Sequence, residues 1–252
     1  MPHLEGRQSI LAALVARQRK FQVILIRHGT HAEGVDQVIA TANEMNVPIR
    51  YVDSRELESF THGSSHGGML AICTAKPRAS LGDITERLRA QPDPALLLLL
   101  EGVDDARNLG FTLRSAEALG VHAVLIKKHL WDFDETEVAR PASGAYERLP
   151  LVQIDSVEPL QQLQHLGIQL IGCLANVKQT IFDADLTKPT ILAIGGEKRG
   201  LSGAVRSICD GFVTIPVVAQ ATSLSLSHAG AIVMAEAMRQ RRLLPDRHAS
   251  HV

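Results

Sequence analysis

The sequence predicts an α/β protein: a larger second part built on a mainly parallel sheet, preceded by a smaller α/β unit. Two observations carry this. Apolar runs in the second part are continuous rather than alternating, above all residues 95–100, ALLLLL. Such runs suit parallel strands covered on both faces. Segments with helical spacing fall between the runs, the alternation expected of βα units.

In the first part, residues 9–15 (SILAALV) place Ile10, Leu11, Leu14 and Val15 on one helical face. Residues 23–26 (VILI) read as a buried strand. Residues 35–45 return to helical spacing, with Val35, Val38, Ile39 and Ala42 on one side. A strand over 48–52 leads to Ser54, which reads as the N-cap of a short helix over 55–60, with Leu57 packing inward. Residues 62–68 (HGSSHGG) form a loop and 69–73 a third strand. A connector with prolines at 77 and 92 holds a short helix over 81–88. The organisation is therefore a first domain over 1–78, a linker over 79–94 and a second domain over 95–252. In the second domain, strands are expected at 95–100, 123–126, 169–172, 190–194 and 212–215. Helices are expected at 109–119, 157–166, 204–209 and 223–240.

The composition is that of an ordinary globular chain: 252 residues, 45% hydrophobic and 21% charged. Aromatics are only 4%, which argues against an extended base-stacking platform, and a net charge of -1 confines any RNA grip to a local basic face. Cys73, Cys173 and Cys209 form no CxxC pair, so the expectation is no metal site and a reducing cytoplasm. His62 and His66 have ligand-like spacing but no acid or cysteine beside them in sequence. The first ten residues lack the apolar core of a signal peptide, and no apolar run is long enough to span a bilayer.

Three polar turns follow predicted strands, where open parallel sheets bind their ligands. The first, 101–114 (EGVDDARNLGFTLR), enters a helix. There Asn108 reads as the N-cap, Gly110 as a point of close approach, and Arg114 lies one to two turns in. The second is 194–202 (IGGEKRGLS). It is not a phosphate loop, because Gly200 is followed by Leu201 rather than by lysine, and no GxGxxG follows any strand. The third is 215–227 (IPVVAQATSLSLS), in which Thr222 or Ser223 reads as the cap of a long helix. Taken singly, each turn is equally well a capped helix or a solvated loop.

Together, NLGFTLR, GGEKRGLS and IPVVAQATSLSLSHAGAI resemble the three ordered motifs of the SpoU/TrmH methyltransferases of the SPOUT superfamily. The resemblance covers about 96–239. DARNLG also follows the family's D-P-x-N-x-G, with Ala106 in place of proline. More loosely, EGRQSILAAL, VILI and HGGMLAI are similar to the substrate-binding domain that precedes many such catalytic domains, itself similar to kink-turn-binding ribosomal proteins. The resemblance implies a deep C-terminal trefoil knot, a homodimer, and S-adenosylmethionine as cofactor. It implies 2′-O-ribose methylation of structured RNA, ribosomal RNA foremost. By resemblance Ile194, Gly195, Gly196, Gly200, Ile215 and Leu224 hold the cofactor, with no metal. Arg114 assists the ribose hydroxyl, Asn108 positions Arg114 or the substrate, Glu197 orients the arginine or the loops, and Ser223 bonds within the third motif. One position departs from the pattern. The family's third motif usually reads S-L-N-V-S, and Ser225 stands where it has asparagine.

RNA contact is expected in the first domain, where nine Lys/Arg face seven acids over 1–78. Arg17, Arg19, Lys20 and Arg27 are the candidates. Three alternatives stay open on the sequence: a tRNA 2′-O-methyltransferase, a methyltransferase conferring antibiotic resistance, and a non-catalytic RNA-binding assembly factor that keeps the fold.

Overall fold

The computed structural model describes residues 3–30, 34–61, 66–91, 93–127, 132–218 and 224–243. The chain divides into two compact units. One comprises Met1–Pro77, Leu109–Arg114 and Phe133–Leu149; the other comprises Arg78–Asn108, Ser115–Asp132 and Pro150–Val252.

The first unit holds a four-stranded mixed sheet of β1 (His3–Glu5), β2 (Phe21–Arg27), β3 (Ile49–Val52) and β4 (Met69–Cys73), ordered β1-β4-β2-β3. Strand β4 runs antiparallel to β1 and β2, and β2 pairs β3 in parallel. Helices α1 (Arg7–Ala16), α2 (Val35–Glu44) and α3 (Ser54–Glu58) complete the residues foreseen as the first domain. Helix α1 buries Ile10 and Leu14 of the expected face together with Ala12 and Ala13, while Leu11 is half-buried and Val15 is exposed, so the buried face is turned from the one its spacing predicted. The cap of α3 is Asp53 rather than Ser54: the Asp53 carboxylate accepts from the Glu56 amide at 2.7 Å. Aspartate and serine cap by the same chemistry, and the choice moves the helix start by one residue.

The second unit opens with α4 (Leu81–Ala90), whose start is a capping box between Ser80 and Asp83. The chain then runs β5 (Leu96–Glu101), α5 (Ala106–Ala118), β6 (Ala123–Lys127), α6 (Glu135–Ala142), α7 (Ala145–Arg148), β7 (Leu151–Ile154), α8 (Glu158–His165), β8 (Gln169–Cys173), β9 (Thr190–Gly195), α9 (Gly203–Arg206), β10 (Gly211–Val213) and α10 (Leu226–Arg242). Six strands form a sheet ordered β10-β8-β9-β5-β6-β7 in which every neighbouring pair is parallel. The ALLLLL run supplies the central strand β5, buried along its whole length. Because the strands are parallel, the turns after β5, β9 and β10 leave the sheet from the same edge. At the far end of α10, Arg241 donates to the carbonyls of Leu186 at 2.9 Å, Lys188 at 2.7 Å and Ala95 at 3.1 Å, and ties the helix to the opposite edge.

Helices α6 and α7 belong to the first unit, against β1 and α1, and neither was foreseen. Ser9 Oγ donates to the Ala139 carbonyl at 3.3 Å, and Thr136 Oγ1 to the His3 carbonyl at 3.2 Å. Gly110 belongs to the same packing. A Cβ there would lie 2.4 Å from the Val138 carbonyl oxygen and 2.5 Å from Pro141 Cγ, so glycine lets α5 and α6 touch backbone to side chain.

Candidate active site

The turn after β9 is shaped by steric necessity. A Cβ on Gly195 would sit 2.0 Å from the Gly200 carbonyl carbon, and one on Gly196 would sit 1.8 Å from the Gly102 oxygen. The Gly200 amide closes the turn on the Gly196 carbonyl at 2.8 Å, with Gly200 at a φ of +60. Glu101, the charged last residue of an otherwise apolar strand, holds the turn's far side. Its carboxylate is 5% exposed and accepts from the Ser202 amide at 2.9 Å and the Ser202 hydroxyl at 3.1 Å, with Lys127 Nζ at 3.3 Å. Lys198 and Asp104 form an exposed ion pair between the first and second turns.

Glu197 projects from this turn to the third. Its Oε1 accepts from the Leu226 amide at 3.2 Å, the first helical residue of α10, where a carboxylate meets the positive end of the helix. Ser225 is the N-cap of α10, in place of the expected Thr222 or Ser223, which lie outside the described residues. The Ser225 Oγ accepts from the His228 amide at 3.4 Å and stands 2.5 Å from His228 Nδ1 and 3.2 Å from Ser227 Oγ. Ser227 Oγ in turn donates to Asn108 Oδ1 at 3.3 Å. Side chains of the first and third motifs thus form one hydrogen-bonded chain.

Asn108 is not the cap of α5. Asp105 is, accepting from the Asn108 amide at 2.9 Å, so the helix starts three residues earlier than expected and frees the Asn108 side chain to reach Ser227. Arg114 lies exposed on the same helix, six residues further along. Of the residues expected at the site, the structure brings Asn108, Glu197, Ser225 and the three glycines together. Ser223 lies outside the described residues.

The expected cofactor positions offer a ligand backbone groups and aliphatic surface. Ile194 is buried in β9 with its side chain in the core, leaving only its backbone to a ligand. Ile215, Leu224 and Gly195 are half-buried at the turns. Backbone groups can hydrogen-bond the adenine and ribose of a nucleoside, and aliphatic surface can cover its purine. Among the described residues no three His, Cys, Asp or Glu side chains gather in a way that could hold a metal ion. His62 lies outside the described residues. No helix among them is long and apolar enough to cross a membrane.

The RNA candidates separate. Arg17 and Lys20 are exposed and Arg27 is half-buried. Arg19 is corrected: it is 4% exposed and fully committed. Its guanidinium donates to both Glu147 oxygens at 2.9 and 2.8 Å, to Glu135 at 2.8 Å and to the Thr74 carbonyl at 2.7 Å. Burial by itself would lower its pKa, but the two carboxylates outweigh burial and the net shift is upward. Beside it, burial lowers the Lys76 ammonium to about 8. A charge neutralised in this way offers nothing to a phosphate.

Glu101, Lys127, Ser202, Ser227 and His228 were not singled out in the sequence. The signal for Glu101 was present, an acid closing a wholly apolar strand at the ligand-binding edge. Ser227 and His228 sit inside the third motif, and nothing in their spacing marked their partners.

Residues 95–235 match the family described as "SpoU rRNA Methylase family", and residues 3–79 match "RNA 2'-O ribose methyltransferase substrate binding". The 23S rRNA (guanosine-2'-O-)-methyltransferase RlmB of Pseudomonas putida is 30% identical, covering 94% of this chain and 96% of the relative. Its namesake from Ralstonia nicotianae is 31% identical, covering 96% and 97%. Among solved structures, the SpoU methyltransferase AviRb of Streptomyces viridochromogenes in complex with AdoMet superposes with a TM-score of 0.78 at 25% identity, covering 95% of this chain and 90% of that one.

Proposed function

The chain belongs to the SpoU rRNA methylase family, and on that premise we propose that it transfers the methyl group of S-adenosylmethionine to the 2′-hydroxyl of a guanosine in 23S ribosomal RNA. The observation that carries this reading is the meeting of the three turns at one edge of a parallel sheet, bound by Asn108, Ser227, Ser225 and Glu197. Guanosine and 23S RNA come from what the full-length relatives act on.

The residues divide the work as follows. Gly195, Gly196 and Gly200 form a turn that admits no side chain, and with the backbone of Ile194 and the aliphatic surface of Ile215 and Leu224 they hold the cofactor. S-adenosylmethionine, when bound, supplies a methyl group activated by its sulfonium. Displacement requires the ribose oxygen to approach opposite the sulfur, so positioning supplies much of the rate. Arg114 stabilises the oxyanion that develops on the 2′-oxygen. As the O–C bond forms and the S–C bond breaks, the hydroxyl proton passes to solvent water. Asn108 positions the acceptor ribose with Ser225 acting through Ser227, Glu197 fixes the second turn against α10, and Ser223 bonds within the third.

In this reading residues 1–78 bind the RNA substrate, 79–94 link, and 95–252 carry catalysis within a trefoil knot. Arg17, Lys20 and Arg27 contact phosphates. The protein acts as a homodimer, for which the exposed Ile232 on α10 offers apolar surface. It works in the cytoplasm, where the free thiols Cys73, Cys173 and Cys209 stay reduced.

The test is tritiated methyl transfer to 23S rRNA from cells lacking the corresponding modification, with the labelled nucleotide mapped. Label on a guanosine 2′-oxygen is expected; label on a base, or only on tRNA, overturns the reading. Arg114→Lys keeps the charge but loses the planar fork, and is expected to abolish transfer with cofactor affinity unchanged within about threefold. Near-normal turnover in this variant removes Arg114 from the chemistry.

A further inference from the structure

The hydrogen-bonded chain that ends on Asn108 begins on His228, a residue of the third motif given no role above, and its protons can be counted. Ser227 Oγ donates to Asn108 Oδ1. A hydroxyl has one proton, so Ser227 can only accept from Ser225, 3.2 Å away. The Ser225 proton is then spent on Ser227, and at the 2.5 Å contact the donor must be His228 Nδ1. Ser225 Oγ also accepts from the His228 amide, so its remaining lone pair is engaged by the backbone of the same residue. All four side chains lie within the second unit.

We propose that His228 is a positioning residue of the methyl-transfer site. As Nδ1–H donor it fixes the direction of the whole chain, His228 to Ser225 to Ser227 to Asn108. The carboxamide is thereby held in one orientation, with its oxygen toward Ser227. Without the imidazole, Ser225 and Ser227 can reverse their hydroxyls and Asn108 can flip. This inference rests on the placement of Asn108 at the acceptor ribose in the reading above. It assigns a task to a residue that, as the third residue of α10, would otherwise only face solvent.

Two measurements on the full-length protein decide it. The first is independent of activity. Long-range 15N–1H spectra of the imidazole at pH 9 should show neutral His228 carrying its proton on Nδ1, and Ser227→Ala should shift the population toward the Nε2–H tautomer. A wild-type His228 with bare Nδ1 overturns the proposal, whatever the RNA substrate proves to be. The second is kinetic. His228→Ala should lower kcat about fivefold to tenfold, the worth of one oriented hydrogen bond, with KM for S-adenosylmethionine within twofold and the melting temperature little changed. His228→Asn, whose amide reaches the same position, should restore most of the loss. Because Ser227 and His228 act in series, the double variant Ser227→Ala/His228→Ala should be no slower than the slower single variant. Unchanged kcat in His228→Ala, losses that multiply in the double variant, or a loss confined to cofactor binding each refute it. A wild-type protein inactive on every RNA overturns the functional reading instead, and the spectra still decide the direction of the chain.

Discussion

Replacing Arg19 by methionine tests the clearest disagreement between a charge pattern and a fold. Methionine keeps the length and apolar stem of the side chain and removes the guanidinium. Two carboxylates then lose their partner, and their surroundings differ. Glu135 retains 24% side-chain exposure and can rehydrate, whereas Glu147 has none. Removing one member of a buried pair costs about 3–5 kcal/mol, most of it from the stranded charge. With Glu147 carrying that burden, and a bond to the Thr74 carbonyl also lost, we expect about 4 kcal/mol. At ~2–4 °C per kcal/mol for a chain of this size, the melting temperature should fall roughly 8–16 °C. Urea unfolding followed by far-UV circular dichroism gives the free energy. The double variant Arg19→Met/Glu147→Leu should recover most of it, since it removes the buried stranded carboxylate and leaves only the part-exposed Glu135 and the Thr74 carbonyl without the arginine. A single variant within about 1 kcal/mol of wild type, or one that loses RNA affinity at unchanged stability, would refute the structural role and return Arg19 to the RNA surface.

Two further outcomes follow from the same structure. Lys76 is lowered by burial from its ordinary 10.5 to about 8. The unfolded chain therefore binds more protons than the folded one between those values, and the stability difference between wild type and Lys76→Met should shift in favour of wild type as pH rises from 8 to 10.5, by on the order of 2–3 kcal/mol; a flat difference across that window would sink the assignment. Gly196→Ala places a methyl 1.8 Å from the Gly102 oxygen, a backbone atom that cannot swing aside. Calorimetry should show S-adenosylmethionine binding weakened at least about a hundredfold, and near-normal affinity would mean the turn is not the cofactor cradle.

What the sequence made legible was whatever is encoded locally. A run of five leucines after an alanine can hardly be other than a buried strand, and it is β5. Glycines followed by polar residues at a strand's end marked the turns correctly. Cap positions slipped by one to three residues because Asp53 and Asp105 cap as well as Ser54 and Asn108, and pattern alone does not choose between adjacent candidates. Helix α6 was missed because Pro141 stands inside it, and α7 because four residues carry no periodicity. Arg19 was misread for a different reason. A basic cluster looks solvated until its acids are known, and these lie 116 and 128 residues away.

That separation sets the order in which the protein can be made. The chain passes between its two units after residues 77, 108, 114, 132 and 149, and the first unit is complete only when the last of these has been synthesised. A nascent chain that has just finished residue 77 exposes Arg19 and Lys76 with neither Glu135 nor Glu147 to receive them. At about 5–20 residues per second the ribosome adds the missing stretch in roughly 4–14 s, a long wait on the timescale of chain collapse. The Arg19 guanidinium stays without its carboxylates through that interval. Final closure of the first unit is a late step that depends on sequence translated from the middle of the message. A gene fusion that transplants residues 1–78 to another catalytic domain carries the arginine and leaves its carboxylates behind.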